Sequence, residues 1–405
     1  MPTYRSLFAR REFRALWTSS ALTTVASTTS SLALATVVHR QTGSALLSAV
    51  AMFGPSLAQV LGATTLMSVA DTAPPRRTLT VVGTLTAAAL AVQTLPGLPP
   101  SARLLVVLGA AYVVAVGSGV RWGLLAEILP ADGYALGRSA MNVSVGACQV
   151  VGFATGGLLL SVLSTPEVFA LAAGVAALAV PVLRFGLVEH PPRRSARAGL
   201  RETWRGNRVL LSARSTRTLL IALCVPNGLI VGCEALFVPY AGDRAGLLLA
   251  AGAVGMMTGD LVAGRYLTAA GRRRASTPLR ILLAGPFLVF AVEPGEALAV
   301  AAVALGSAGY AASLAQQEWL VVLTPEALRG QVLGLESSAR MTAQGVFAVL
   351  AGTLGDLIPP SAAIALLATA SLAVSLLLTG PLARVGDRAA SPSGAGVGGP
   401  YPGLP

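Results

Sequence analysis

The residues able to do acid–base or ligand chemistry are few, and their placement matters more than their number. Two histidines, His39 and His190, stand far apart, and the three cysteines, Cys148, Cys224 and Cys233, keep no CxxC or other ligand spacing. No metal centre is expected from such a set. Paired catalytic acids, a histidine-based site and a GxxxxGK[ST] phosphate loop are all missing from the sequence, so it does not read as an enzyme and no cofactor is expected. What remains are charges set inside apolar sequence, where an ionisable group is costly and is kept for a reason. Glu234 lies about fifteen residues into one apolar segment, the deepest acid in the chain. A carboxyl at that depth is suited to carrying a proton; the plainer alternative is a glutamate hydrogen-bonded to Asn227 or a serine.

Other charges fall into pairs and rows. Arg121, followed by Trp122, has no acid three or four residues away, so it should face a polar cavity or an acid on another helix. Glu336 and Arg340 are spaced i,i+4 with the glutamate first, the favourable order for an ion pair on one helix face. Gln316, Gln317 and Glu318, beside Trp319, either line a substrate route or sit at the membrane interface. Asp71 precedes Arg76 and Arg77, and Asp260 precedes Arg265, each set at the end of an apolar run where a carboxylate can pair with the arginines or face a helix N-terminus. Ten hydroxyls between Thr18 and Ser31 suggest one helix face lining a cavity, unless they bond their own backbone. Gly152 and Gly156, with Gly157 beside them, have the spacing that lets two helix backbones approach closely.

The elements that must hold these residues are membrane helices. The chain is 54% hydrophobic and only 11% charged, against about 25% charged for a soluble domain. Twelve apolar segments, most of them near the roughly 20 residues a bilayer requires, run at about 15–38, 44–70, 78–95, 104–129, 138–163, 168–187, 218–240, 245–267, 279–292, 297–323, 332–358 and 361–381. All 29 basic residues are arginines, and the net charge is +12. Most of them gather at the N-terminus, in alternate loops and in the tail, with Arg40, Arg103 and Arg244 in the opposite loops and Arg121 and Arg340 inside apolar segments. This is the asymmetry of a topology with arginine on the cytoplasmic side rather than a nucleic-acid patch. The basic stretch 189–217, which carries eight of them, cannot enter hydrocarbon and reads as a cytoplasmic connector. The expected organisation is a six-helix bundle over 1–188, the connector 189–217, a second six-helix bundle over 218–383, and a disordered cytoplasmic tail 384–405.

The halves echo one another. AEILPADGYALGR at 126–138 and LVVLTPEALRG at 320–330 share an apolar run, a proline, an acid and a paired Arg and Gly; the Asp–Arg spacing of 71–76 returns at 260–265. Weak internal symmetry of this kind marks secondary transporters built from repeats. FRALW (13–17), TGS (42–44), PPRR (74–77), RSAMN (138–142), LRGQVLGL (328–335) and AGTLGD (351–356) then fall in order along nearly the whole chain. Together they resemble the major facilitator superfamily, in particular its macrolide-efflux and enterobactin-exporter-like branch of drug:proton antiporters. That resemblance implies an all-α integral membrane fold of twelve helices in two pseudo-symmetric six-helix bundles, working by alternating access. It implies export of an amphipathic small molecule driven by protons, from a monomer in the inner membrane with both termini cytoplasmic. It also implies that Asp71, with Arg76 and Arg77, latches the cytoplasmic gate against the eleventh helix near Gln331, and that Asp260 and Arg265 do so in the second half. Phe153 stands where that branch's fifth helix usually has proline, and the first apolar segment lacks the acid often found there, so the proton is carried by another residue or not at all. An importer or uniporter of the same fold, a membrane enzyme, or a non-transporting sensor are the competing readings.

Overall fold

In hydrocarbon a spanning segment must satisfy its own backbone, and a helix does so. A computed structural model, which describes residues 4–66, 74–129, 131–191 and 200–390, is helical in every one of the twelve expected segments, with no strand among the described residues. The helices are α1 (Tyr4–Ala9), α2 (Arg11–Thr42), α3 (Ala45–Thr65), α4 (Pro75–Val92), α5 (Pro100–Ile128), α6 (Ala131–Val162) and α7 (Thr165–Gly186). They continue as α8 (Leu200–Ser212), α9 (Arg214–Ala235), α10 (Phe237–Ala241), α11 (Ala245–Tyr266), α12 (Ala269–Ala284) and α13 (Glu296–Ala308). The last are α14 (Ala312–Val322), α15 (Arg329–Leu357), α16 (Pro360–Leu377) and α17 (Thr379–Ala390). Among the described residues, nine helical stretches are long and apolar enough to cross a bilayer, and one of these, Arg214–Tyr266, runs for 53 residues and has the length of two crossings. The third and eleventh segments are helical but too polar to qualify on composition alone. The chain is a multi-pass membrane protein.

Local chemistry sets the boundaries. Gly43, at φ 68°, closes α2 in the left-handed region, and Ser44 then caps α3 by accepting from the Leu47 amide at 3.1 Å. Ser164 and Glu167 form a reciprocal cap at the start of α7. Gly285 and Pro286 end α12, since proline offers no amide, and the chain continues as a three-ten stretch over Gly285–Val292. A second three-ten break, Gly309–Ala311, separates α13 from α14.

The chain forms two compact units, one of Met1–Ser195 with Phe237–Ala253, the other of Ala196–Leu236 with Val254–Pro405. Each uses the same pairing plan. In the first, α2 packs on α6 and α7, and α4 on α5 and α7; in the second, α9 packs on α15 and α16, and α12 on α13 and α16. Close approach recurs as well. A Cβ on Gly62 of α3 would run into the Tyr112 backbone of α5, and one on Gly255 or Gly259 of α11 into the Ala304 or Ala308 backbone of α13. The expected boundaries shift in two places. The helical connector segment α8 is built into the second unit, where Asn207 accepts from Gln331 Nε2 at 2.8 Å. Residues 384–390, expected to be part of a disordered tail, continue α17, whose Leu382 and Val385 are buried against Trp319 and Leu320.

Candidate functional site

Within the second unit, polar residues from five elements gather inside otherwise apolar helices. Glu336 on α15 is 3% exposed and accepts from Arg340 Nε at 3.0 Å. Tyr310, in the three-ten break between α13 and α14, interacts electrostatically with Arg340, Asp260 and Glu336, and its hydroxyl is hydrogen-bonded to Ser313. Asp260 comes from α11, and its Oδ1 is shut off from solvent with no hydrogen-bond partner among the described residues. Cys224 of α9 is within electrostatic reach of both Glu336 and Arg340. Gln316, 1% exposed, has an amide nitrogen with no partner among the described residues, and so has Asn227. Two carboxyls, one fixed cation and a phenol thus meet around Tyr310 in a partly buried neighbourhood, in which adding or removing one proton switches the carboxyl–guanidinium set between neutral and singly negative.

Several expected pairings give way to others. Asp260 forms no ion pair with Arg265, which is exposed near the end of α11; five residues turn the helix by about 140° beyond a full turn, so the two leave on different faces. Glu318 binds Arg272 at 3.1 Å. The alternative of a Glu234–Asn227 bond does not hold, because seven residues put the two about 10 Å apart along the axis, and the Asn227 nitrogen has no partner among the described residues. Glu234 is half-buried one residue before the end of α9 and makes no ion pair among the described residues.

In the first unit, Arg121 of α5 reaches Ser20 Oγ of α2 at 3.4 Å, and its buried Nε has no partner among the described residues. The hydroxyls of α2 mostly bond their own backbone, as Thr23 does to Ser19 O at 2.8 Å and Thr24 to Ser20 O at 2.8 Å, while Thr29 crosses to Gly152 O at 3.0 Å. Gly152 and Gly156 sit hard against Thr28 and Thr29, and Gly157 against Gly246. Asp71 lies outside the described residues. Arg76 pairs with Glu189 at 2.6 Å, and Arg77 is exposed.

Other clusters carry no sequence signal beyond residue type. Helix α2 starts at Arg11, four residues before the apolar segment, and so includes Glu12, which holds His190 Nε2 at 2.9 Å, with Glu127 3.9 Å from the other ring nitrogen. Arg10 and Arg11 donate to the Ile128 and Phe185 carbonyls near the ends of α5 and α7, where the helix dipole favours a cation. Arg103, 6% exposed, donates to the Gln93 and Leu98 carbonyls at 2.7 and 3.1 Å. Arg40 binds Asp243 in the first unit. These partners lie far apart in sequence or on different elements, and only the packing brings them together.

Comparison with solved structures places the fold. The chain is similar to the nucleoside transporter NupG, solved as a mutant, at 13% identity and a TM-score of 0.69, over 92% of this chain and 99% of that one. It is similar to a POT family transporter in complex with 5-aminolevulinic acid, at 12% identity and a TM-score of 0.68, over 92% and 96%. The xylose transporter XylE from E. coli, in an inward open conformation, matches at 13% identity and a TM-score of 0.66, over 92% and 95%. No protein-family model matches the sequence, and no curated protein does. At these identities the likeness shows the fold, which is that of the major facilitator transporters, with two bundles of helices.

Proposed function

We propose that this chain is a secondary active transporter that exports an amphipathic small molecule, a drug or a secondary metabolite, by alternating access in exchange for protons. The observation that carries the reading is the extent of the fold match: more than nine-tenths of the chain aligns with proteins solved as transporters. The macrolide-efflux and enterobactin-exporter-like branch is the subgroup that the sequence motifs favour. Coupling is assigned to the Asp260–Tyr310–Glu336–Arg340 cluster. Glu336 and Arg340 hold one another at fixed geometry, and Asp260, with a buried oxygen that has no hydrogen-bond partner among the described residues, is the group assigned to gain or lose a proton. A second reading gives that role to Glu234, favoured by its lack of an ion-pair partner among the described residues at the end of α9. Arg121 faces the substrate path in the first unit, Gln316 in the second. Asp71, with Arg76 and Arg77, latches the cytoplasmic gate. The termini and the 189–217 connector lie in the cytoplasm, and the functional form is a monomer in the inner membrane.

Reconstitution tests this reading. Proteoliposomes loaded with a pH-reporting dye are challenged with a panel of amphipathic compounds that includes macrolides. At least one compound is expected to drive proton movement and to exchange in counterflow. If none does either, in protein that keeps its thermal transition, the transporter reading fails.

A further inference from the structure

The region where α12, α14 and α17 meet in the second unit carries an arrangement that transport does not require. Three successive arginines near the start of α12 point about 100° apart around the helix and cannot share one partner. Arg272 binds Glu318 on α14 at 3.1 Å and the Leu267 carbonyl at 2.8 Å. Arg273 meets Asp387 on α17 at 3.4 Å. Arg274 is exposed and makes no ion pair among the described residues. Beside them, Arg273, Arg274, Ser276, Thr277, Trp319 and Asp387 line a cavity of about 190 Å³, completed on the α17 side by Leu382 and Gly386.

The wall of this cavity holds an unused donor. Ser276 is 3% exposed, and its hydroxyl has no hydrogen-bond partner among the described residues. Arg280 lies four residues on, on the same face of α12, and is 2% exposed. Its Nη2 reaches Thr379 Oγ1 at 3.4 Å, but Nε and Nη1 have no partner among the described residues. Arg280 is not among the residues that line the cavity, but its charge lies about one helical turn from Ser276. A buried guanidinium with idle donors calls for an anion. The nearby acids are already paired, Glu318 with Arg272 and Asp387, which itself lines the cavity, with Arg273.

We propose that this cavity binds the phosphodiester head of an anionic phospholipid. Ser276 donates to it from the wall, Arg273 and Arg274 from the rim, the Arg280 charge one turn along α12 favours it, and Trp319 with Leu382 packs against the glycerol. The fork of a guanidinium matches phosphate oxygens in pairs, and basic pockets between membrane helices are suited to such heads. Lipid is favoured over soluble phosphate because the cavity lies at the polar end of membrane helix α12, with a tryptophan in its wall and the helix α17 across it.

The test uses purified full-length protein incubated with phosphatidylglycerol or phosphatidylcholine, with retained lipid read by native mass spectrometry and inorganic phosphate run in parallel thermal melts. Phosphatidylglycerol should be retained roughly tenfold or more over phosphatidylcholine, and Arg274→Gln should cut that retention by about fivefold. Ser276→Ala should lower it as well, with both variants keeping the parent's thermal transition, since one residue is exposed and the other change is small. Equal retention of the two lipids overturns the proposal, as does full phosphatidylglycerol retention by both variants. Stabilisation by inorganic phosphate that Arg274→Gln removes, without any lipid preference, assigns the cavity to a soluble anion and overturns the lipid assignment.

Discussion

Glu336 and Arg340 show what a buried ion pair does in this chain. With one partner 3% exposed and the bond at 3.0 Å, the pair adds little net stability relative to an apolar substitute, but breaking it is expensive. Glu336→Gln alone is therefore expected to destabilise the protein by about 3 kcal/mol, while Glu336→Gln with Arg340→Met recovers much of the loss. Thermal melts of the single and double variants in detergent check this, and additive losses would contradict it. The i,i+4 spacing of that pair is legible in the sequence because helix geometry alone dictates it. The place of Asp260 is not, because its neighbour Tyr310 comes from the break between two other helices and only packing brings them together. Arg265, the partner suggested by sequence spacing, leaves α11 on another face.

Among the elements, the close approach of α11 to α13 rests on glycine. A Cβ at Gly259 would fall 2.8 Å from Ala308 Cα and closer still to its carbonyl oxygen, with backbone that cannot swing aside, whereas Gly264 on the same helix has open space around it. Gly259→Ala is expected to cost about 1–3 kcal/mol by overpacking, and Gly264→Ala to be neutral or stabilising by up to about 1 kcal/mol, since alanine favours a helix. The midpoints of the two variants in a thermal melt decide it; equal shifts would sink the argument. Hydropathy finds where the chain crosses hydrocarbon, not where its helices begin. Helix α12 starts at Ala269, ten residues before its apolar segment, and the arginine-rich α8 and the amphipathic α17 offer no long apolar run to read. The breaks at Gly285–Val292 and Gly309–Ala311 leave only a Gly-Pro step and a single glycine as signals. The count and order of crossings are legible because lipid leaves the backbone so few options.

For the molecule as a whole, arginine asymmetry makes topology the most direct expectation. A Leu200→Cys variant, made in a background lacking Cys148, Cys224 and Cys233, should resist an impermeant thiol reagent added outside intact cells and react once the membrane is opened. Labelling from outside would reverse the orientation and with it the direction of export. The central claim, that a buried carboxyl couples transport to protons, needs vesicles holding purified protein, a substrate found in the compound panel, and an imposed pH step. The parent should accumulate that substrate against its gradient. Asp260→Asn should exchange substrate in counterflow at near the parent's rate but fail to concentrate it when the pH step is applied. An Asp260→Asn protein that still concentrates substrate contradicts the account, and failure of Glu234→Gln in the same assay would then pass the coupling role to Glu234.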